Sequence, residues 1–157
     1  MHFSTKTYTH AEGLSCCFRQ WRASHSHCQY LHGYAIEVKF QWEATELDAR
    51  NWVVDFGGLK HVKEWLKETF DHKLLVAKDD PKLEELHALN LMGLAQVVEV
   101  EAVGCEAFAK MIYDYVNSWT RHSFRRLSVD GIYVYPVKLV QVEVREHGGN
   151  SAGYRRD

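Results

Sequence analysis

His25-Ser26-His27-Cys28-Gln29-Tyr30-Leu31-His32-Gly33-Tyr34 places three imidazoles and one thiol within eight positions and runs straight into Ala35-Ile36-Glu37-Val38-Lys39-Phe40-Gln41-Trp42. From Tyr34 onward, apolar and polar residues alternate with the period of two that marks a strand with one face in a core. A strand over about residues 32 to 43 follows, with its even positions on one face. Extended backbone reaching back to His32 points that imidazole the same way as Tyr34, Ile36 and Val38. An imidazole then stands at the rim of a buried sheet face, held by rigid backbone.

Upstream, Phe3 to His10 is rich in Thr and aromatics and reads as a first strand ending on His10. Leu14 to Ser24 reads either as a strand or as an ordered loop. Downstream, Glu46 to Asn51 is turn-like, and the two strands are expected to pair antiparallel through long connections. Trp52-Val53-Val54-Asp55-Phe56 is a short apolar run closed by Gly57-Gly58. Leu59, Val62, Trp65, Leu66 and Phe70 then recur at helical spacing with lysines and glutamates opposite, a helix ending near Asp71-His72. Pro81 opens a short helix over Lys82 to His87. Gln96 to Val103 alternates as a strand, and Phe108, Met111, Ile112, Tyr115, Val116 and Trp119 trace a second long amphipathic helix. Ser128 to Tyr135 and Val137 to His147 read as two more strands, and Gly148-Gly149-Asn150 turns the chain into a short tail. The order predicts one α+β domain over residues 1–157: an antiparallel sheet of about four strands with two main helices on one face.

The bulk numbers agree with a packed enzyme-sized unit. The chain of 157 residues is 46% hydrophobic and 13% aromatic, and its net charge is −2 with histidines neutral. Its nineteen Lys and Arg are scattered except for Arg125-Arg126 and Arg155-Arg156, so no basic stripe suits a nucleic-acid backbone. No apolar run reaches the ~18 residues of a membrane span, and the first residues lack a signal peptide's apolar region. A cytoplasmic protein is expected. The four cysteines, at 16, 17, 28 and 105, include no CxxC pair and suggest no disulfide framework. A metal here has to be held largely by histidine.

A lone imidazole is more often structural than a ligand, but clustering changes that. Zinc accepts three protein nitrogens and keeps an open position for substrate, and His32 on a strand rim with His10 at the end of the preceding strand suits it. Cys28 is either an inert thiol or a nucleophile or base activated by a nearby imidazole. Asp71-His72 is either a solvated helix end or a carboxylate orienting an acid/base imidazole.

Cys28-Gln29-Tyr30-Leu31-His32-Gly33-Tyr34, Val54-Asp55-Phe56, Phe70-Asp71-His72-Lys73-Leu74, Cys105-Glu106-Ala107-Phe108-Ala109 and Val142-Glu143-Val144-Arg145-Glu146 follow one another along nearly the whole chain. In order and spacing they resemble the family of 6-pyruvoyl-tetrahydropterin and 6-carboxytetrahydropterin synthases. That family's pattern is C-x-x-L-H-G-H, V-x-D-F, L-D-H-x-x-L, P-T-x-E and V-x-V-x-E-T. The resemblance implies the tunnelling fold and homo-oligomers, trimers or hexamers. It implies a zinc-dependent lyase acting on a pterin triphosphate, with Cys28, Asp71 and His72 moving protons, His32 a zinc ligand, and Glu146 and Glu106 at the pterin. A carboxylate suits Glu146 because two oxygens accept hydrogen bonds from a ring N–H and an amino group.

Departures from the pattern fall at Tyr34, which stands at the second histidine of H-G-H, at Val103 and Gly104 before Glu106, and at His147 after the last glutamate. Tyr34 removes an expected zinc ligand. His10 is taken as the first ligand, and His27, or else His25, as the replacement. The expected function is a 6-carboxytetrahydropterin synthase converting dihydroneopterin triphosphate on the route to 7-deazaguanine and queuosine. The alternatives are a 6-pyruvoyl-tetrahydropterin synthase, or a tunnelling-fold protein that binds a pterin or purine without turnover.

Overall fold

Residues 34 to 44 do form the strand that their alternation requires, and the sheet is laid against it. A computed structural model of the chain describes residues 1–124, 126–127, 131, 133–134 and 136–156. In chain order the elements are β1 (His2–Tyr8), β2 (Leu14–Phe18), β3 (His32–Ala44), α1 (Lys60–Phe70), β4 (Lys73–Ala77), α2 (Leu83–Leu91), β5 (Val97–Val100) and α3 (Cys105–Ser123). Two-residue strands β6 (Arg126–Leu127) and β7 (Tyr133–Val134) follow, then β8 (Val137–His147) and β9 (Asn150–Arg155). Seven strands join in one sheet in the order β5-β4-β2-β3-β8-β9, with β1 also on β3.

The sheet is therefore larger than the four strands expected, and it is not wholly antiparallel. β2 pairs parallel with β4 and β4 parallel with β5, while the β1, β2 and β8 pairings with β3 and that of β8 with β9 are antiparallel. A parallel pair needs a crossover connection, and α2 supplies it between β4 and β5. The extra strands escaped the pattern for local reasons. In β2 the doubled Cys16-Cys17 hides an alternation that burial reveals, with Leu14, Cys16 and Phe18 inside. β4 has no period because Leu74, Leu75, Val76 and Ala77 are all buried, two on each face. β9 reads as a polar tail yet hydrogen-bonds along β8. Of the strand expected over Ser128 to Tyr135, residues 128–130, 132 and 135 lie outside the described residues, and the described part contributes only β7.

β1 and β2 share one edge of β3. Tyr8 pairs with Val38, and pairing resumes at Leu14 with Ile36, so residues 9–13 bulge out opposite a single residue. They fold into a 3-10 turn over His10–Glu12, closed by Gly13 at φ 76°, a left-handed conformation open to glycine without steric cost. His10 thus lies inside a bulge, with its Nδ1 against the carbonyl oxygen of Ala35.

On the even face of β3, Ile36, Val38, Phe40, Trp42 and Ala44 are buried beneath α1 and α3. Phe108 of α3 meets Phe18 edge-on at 5.1 Å and Phe70 at 5.4 Å. α2 covers the opposite face at β4, where Leu86 packs on Leu74 and Val76. No helix among the described residues is long and apolar enough to cross a membrane. Two of the core's polar side chains are paired: Trp42 Nε1–H donates to Thr120 Oγ1 at 3.1 Å and Tyr113 O–H to the Leu139 carbonyl at 3.0 Å. Thr120→Val keeps the volume and orphans the buried indole N–H, so chemical denaturation should show a loss of about 1–2 kcal/mol. An unchanged midpoint would mean that this hydrogen bond is energetically idle.

Candidate functional site

The connection from β2 to β3 carries Cys28, and it is fastened at several points. Arg19, next after β2, makes a two-pronged ion pair with Asp80, Nε to Oδ2 at 2.8 Å and Nη2 to Oδ1 at 2.6 Å. Asp80 is 5% exposed, and Arg19 beside it holds its carboxyl below the usual carboxylate range. Arg19 Nη1 also reaches the Gln29 carbonyl at 3.4 Å, and Gln20 N–H donates to the Cys28 carbonyl at 2.8 Å. Trp21 Nε1 and Arg22 Nη2 both donate to Asp79. Cys28 sits in a 3-10 turn, His27–Gln29, whose N-cap Ser26 accepts from Cys28 N–H.

Beside this loop lies a pocket of about 370 Å³ that gathers Cys28, His25 and His32 with Glu106 and Cys105 at the start of α3 and Glu146 near the end of β8. Phe18 lies among its walls. Hollows of about 730 Å³ and 840 Å³ elsewhere are larger, and the first is lined by Val54, Asp55 and Phe56 of the V-x-D-F piece, but neither contains an expected catalytic, pterin-binding or metal-ligating residue. The chemistry, not the volume, marks the smaller one.

Its thiols are not equivalent. Burial, followed by the Glu146 and Glu106 carboxylates, pushes Cys105 up to about 12, and Glu146 shares a hydrogen bond with it. Cys105 therefore stays a thiol and donates toward Glu146. Burial likewise raises Cys16 to about 12 and shifts Cys17 upward. Cys28 alone is exposed. Burial, then Glu146 and the thiols of Cys28 and Cys105, also raises the Tyr34 phenol, which keeps it neutral. Gly33 lets the strands close here: a Cβ on it would stand 2.9 Å from the Cys16 carbonyl oxygen.

The expected site residues are brought together only in part. Cys28, His32, Glu106 and Glu146 share the pocket, as does His25. His27 is exposed on the turn outside the lining, and His10 is held in its bulge. Asp71 and His72 form the expected pair, His72 Nδ1–H donating to Asp71 Oδ1 at 2.7 Å. They lie beyond the end of α1, where His72 takes a left-handed φ of 57° and its N–H bonds the Ser15 carbonyl, and they do not line the Cys28 pocket of the same chain. Asp55 of the V-x-D-F piece serves as a cap, accepting from Gly57 N–H at 2.9 Å.

Zinc held by three imidazoles does not fit the residues present. Among the described residues, no three His, Cys, Asp or Glu side chains form a group able to hold a metal ion. The rings beside His32 belong to Phe18 and Tyr34, with centroids 5.1 Å and 5.4 Å away. Sequence reading gave no role to Phe18, to the Arg19–Asp80 clasp or to Cys105. Cys105 heads one of the pieces that carry the resemblance, beside Glu106, and Arg19 ends an apolar run, but neither signal named a partner.

Known proteins resemble this chain in sequence and in fold. Residues 7–157 match the family model for 6-pyruvoyl tetrahydropterin synthase. A 6-carboxy-5,6,7,8-tetrahydropterin synthase of Aquifex aeolicus is 27% identical over 132 residues, 83% of this chain and 76% of that protein. One from Rickettsia felis is 39% identical over 57 residues, and the match spans 36% of this chain and only 41% of the Rickettsia protein's length. In structure, an uncharacterized protein of Wolinella succinogenes superposes with a TM-score of 0.74 at 21% identity, covering 99% of this chain and 98% of that one. A 6-pyruvoyl tetrahydropterin synthase of Plasmodium vivax superposes at 0.61 with 12% identity, covering 100% and 99%.

Proposed function

Because the chain belongs to the 6-pyruvoyl tetrahydropterin synthase family, we propose that its pocket binds a reduced pterin and that it acts as a lyase of the 6-carboxytetrahydropterin synthase type on dihydroneopterin triphosphate. The observation that carries this reading is the meeting of Cys28, His32 and Glu146 in one pocket. Glu146 accepts two hydrogen bonds from the edge of the pterin ring, its carboxylate steadied by the Cys105 thiol. His32 Nδ1–H donates to the Tyr30 carbonyl at 2.7 Å, so the neutral ring offers Nε2 as an acceptor. Cys28, free in solvent beside it, takes the proton from the substrate's side chain. A homo-oligomer, trimer or hexamer, belongs to the same proposal, since the Asp71–His72 pair then serves the pocket of a neighbouring copy.

The test is incubation of the purified protein with dihydroneopterin triphosphate, followed for 6-carboxytetrahydropterin and acetaldehyde. Glu146→Gln should raise the substrate Kd by roughly 10- to 100-fold, the loss of a charge-assisted hydrogen bond. Tight binding without turnover would move the protein to the second reading, a pterin- or purine-binding module. Tyr34 in place of an imidazole favours that alternative.

A further inference from the structure

Three positions on β2 and β3 converge on one face beside the pocket. Phe18 pairs directly with His32 across the antiparallel strands, and Tyr34 follows His32 two residues along the same face. Facing residues put their Cβ atoms about 5 Å apart and i, i+2 neighbours stand roughly 7 Å apart. Imidazoles at all three would close on one zinc ion, with nitrogens at about 2.0–2.1 Å. This chain offers a phenyl, an imidazole and a phenol.

The three rings touch one another, with centroids 5.1 Å apart for Phe18 and His32, 5.4 Å for His32 and Tyr34 and 6.1 Å for Phe18 and Tyr34. Phe18 is 3% exposed and carries no donor atom. Tyr34 presents a phenol where an imidazole nitrogen would stand, its ring packed edge-on against His32. His32 has one nitrogen engaged with Tyr30, which leaves a single Nε2. The remaining imidazoles do not repair the set: His10 is turned to the Ala35 carbonyl, His27 is outside the pocket, and His25, though it lines the pocket with His32, joins no group of three His, Cys, Asp or Glu side chains able to hold a metal among the described residues.

We infer that this chain has exchanged a metal-binding position for a ring-lined floor, and that its pocket takes the heterocycle metal-free, with Phe18 and His32 beneath it and Glu146 at its edge. This rests on the reading above that the ligand is a reduced pterin. Proton transfer then falls to Cys28 and His32 without a bound cation.

Metal content and ligand binding decide it. Protein grown and dialysed with zinc is measured for bound metal, titrated with cobalt(II) followed by its visible bands, and titrated with dihydroneopterin with and without chelator. The expected results are substoichiometric zinc, no tetrahedral cobalt bands, and a dihydroneopterin Kd that chelation leaves unchanged. Phe18→His combined with Tyr34→His should restore three facing imidazoles and tighten cobalt binding by roughly 100-fold. Should the double variant not fold, Tyr34→His alone and the wild-type metal content decide. About one zinc per chain, lost in His32→Ala, overturns the inference, as does dihydroneopterin binding that requires zinc; both leave the pterin reading standing. Failure to bind dihydroneopterin with or without zinc overturns both.

Discussion

Alanine at Cys28 should lower turnover of dihydroneopterin triphosphate by about 10²- to 10⁴-fold, the range lost with a positioned acid or base, while the unfolding midpoint stays in place. The stability half of this expectation follows from exposure: the side chain fills no cavity, and the N-cap bond to Ser26 uses the Cys28 backbone N–H. The catalytic half follows from elimination among four thiols. Cys16 and Cys105 are buried and pushed up to about 12, and Cys17 is shifted upward by burial, so none of them supplies a thiolate near neutrality. Cys28 alone combines exposure with a place beside His32 and Glu146. Serine at the same position tests the thiol specifically, since a hydroxyl keeps the size and loses the acidity. A Cys28→Ala protein that turns over at the wild-type rate would remove Cys28 from the mechanism.

Asp80→Ala should cost about 3 kcal/mol, the low end for removing one partner of a buried ion pair, because Arg19 retains 22% exposure and recovers some hydration. The loss goes beyond the pair. Asp80 also accepts from Lys82 N–H at 2.8 Å, and Arg19 links β2 to the Gln29 carbonyl beside Cys28. The variant should therefore loosen the Cys28 loop as well as the fold, so alkylation of Cys28 by a neutral reagent should change in rate under native conditions. The Asp80 carboxyl titrates lower folded than unfolded, chiefly through its hydrogen bonds to Arg19. Its contribution is accordingly complete above the ordinary aspartate range, near neutrality, and lost as pH falls below about 4. Wild type and variant should converge in stability in acid. A gap that persists at low pH would assign the effect to packing and not to charge.

How far the site could be read depended on where its partners lie along the chain. His32 and Tyr34 share a face because they are two residues apart on a strand, which alternation shows directly. Phe18 meets His32 only because β2 lies antiparallel to β3 in one register, and a shift of one residue would turn Cys17 inward instead. His10 looked like a strand end because Thr and aromatics continue up to it, yet the strand stops at Tyr8 and a five-residue bulge carries the imidazole away. Arg19 and Asp80 are 61 positions apart, and no local pattern joins them.

By itself the amino-acid sequence determined the long central strand, the two amphipathic helices on one sheet face, the family, and the membership of Cys28, His32, Glu106 and Glu146 in one motif set. The strand and helices are written in short-range periodicity, and the family and its motif residues in a resemblance carried by five ordered pieces of sequence. Only the tertiary structure decided which side chain stands across from His32, that β2, β4 and β9 extend the sheet, and that the Asp71–His72 pair lies away from the Cys28 pocket of its own chain. Those outcomes depend on cross-strand register and on ion pairs closed over long loops, which arise from hydrogen bonding and burial between distant segments and leave no local mark.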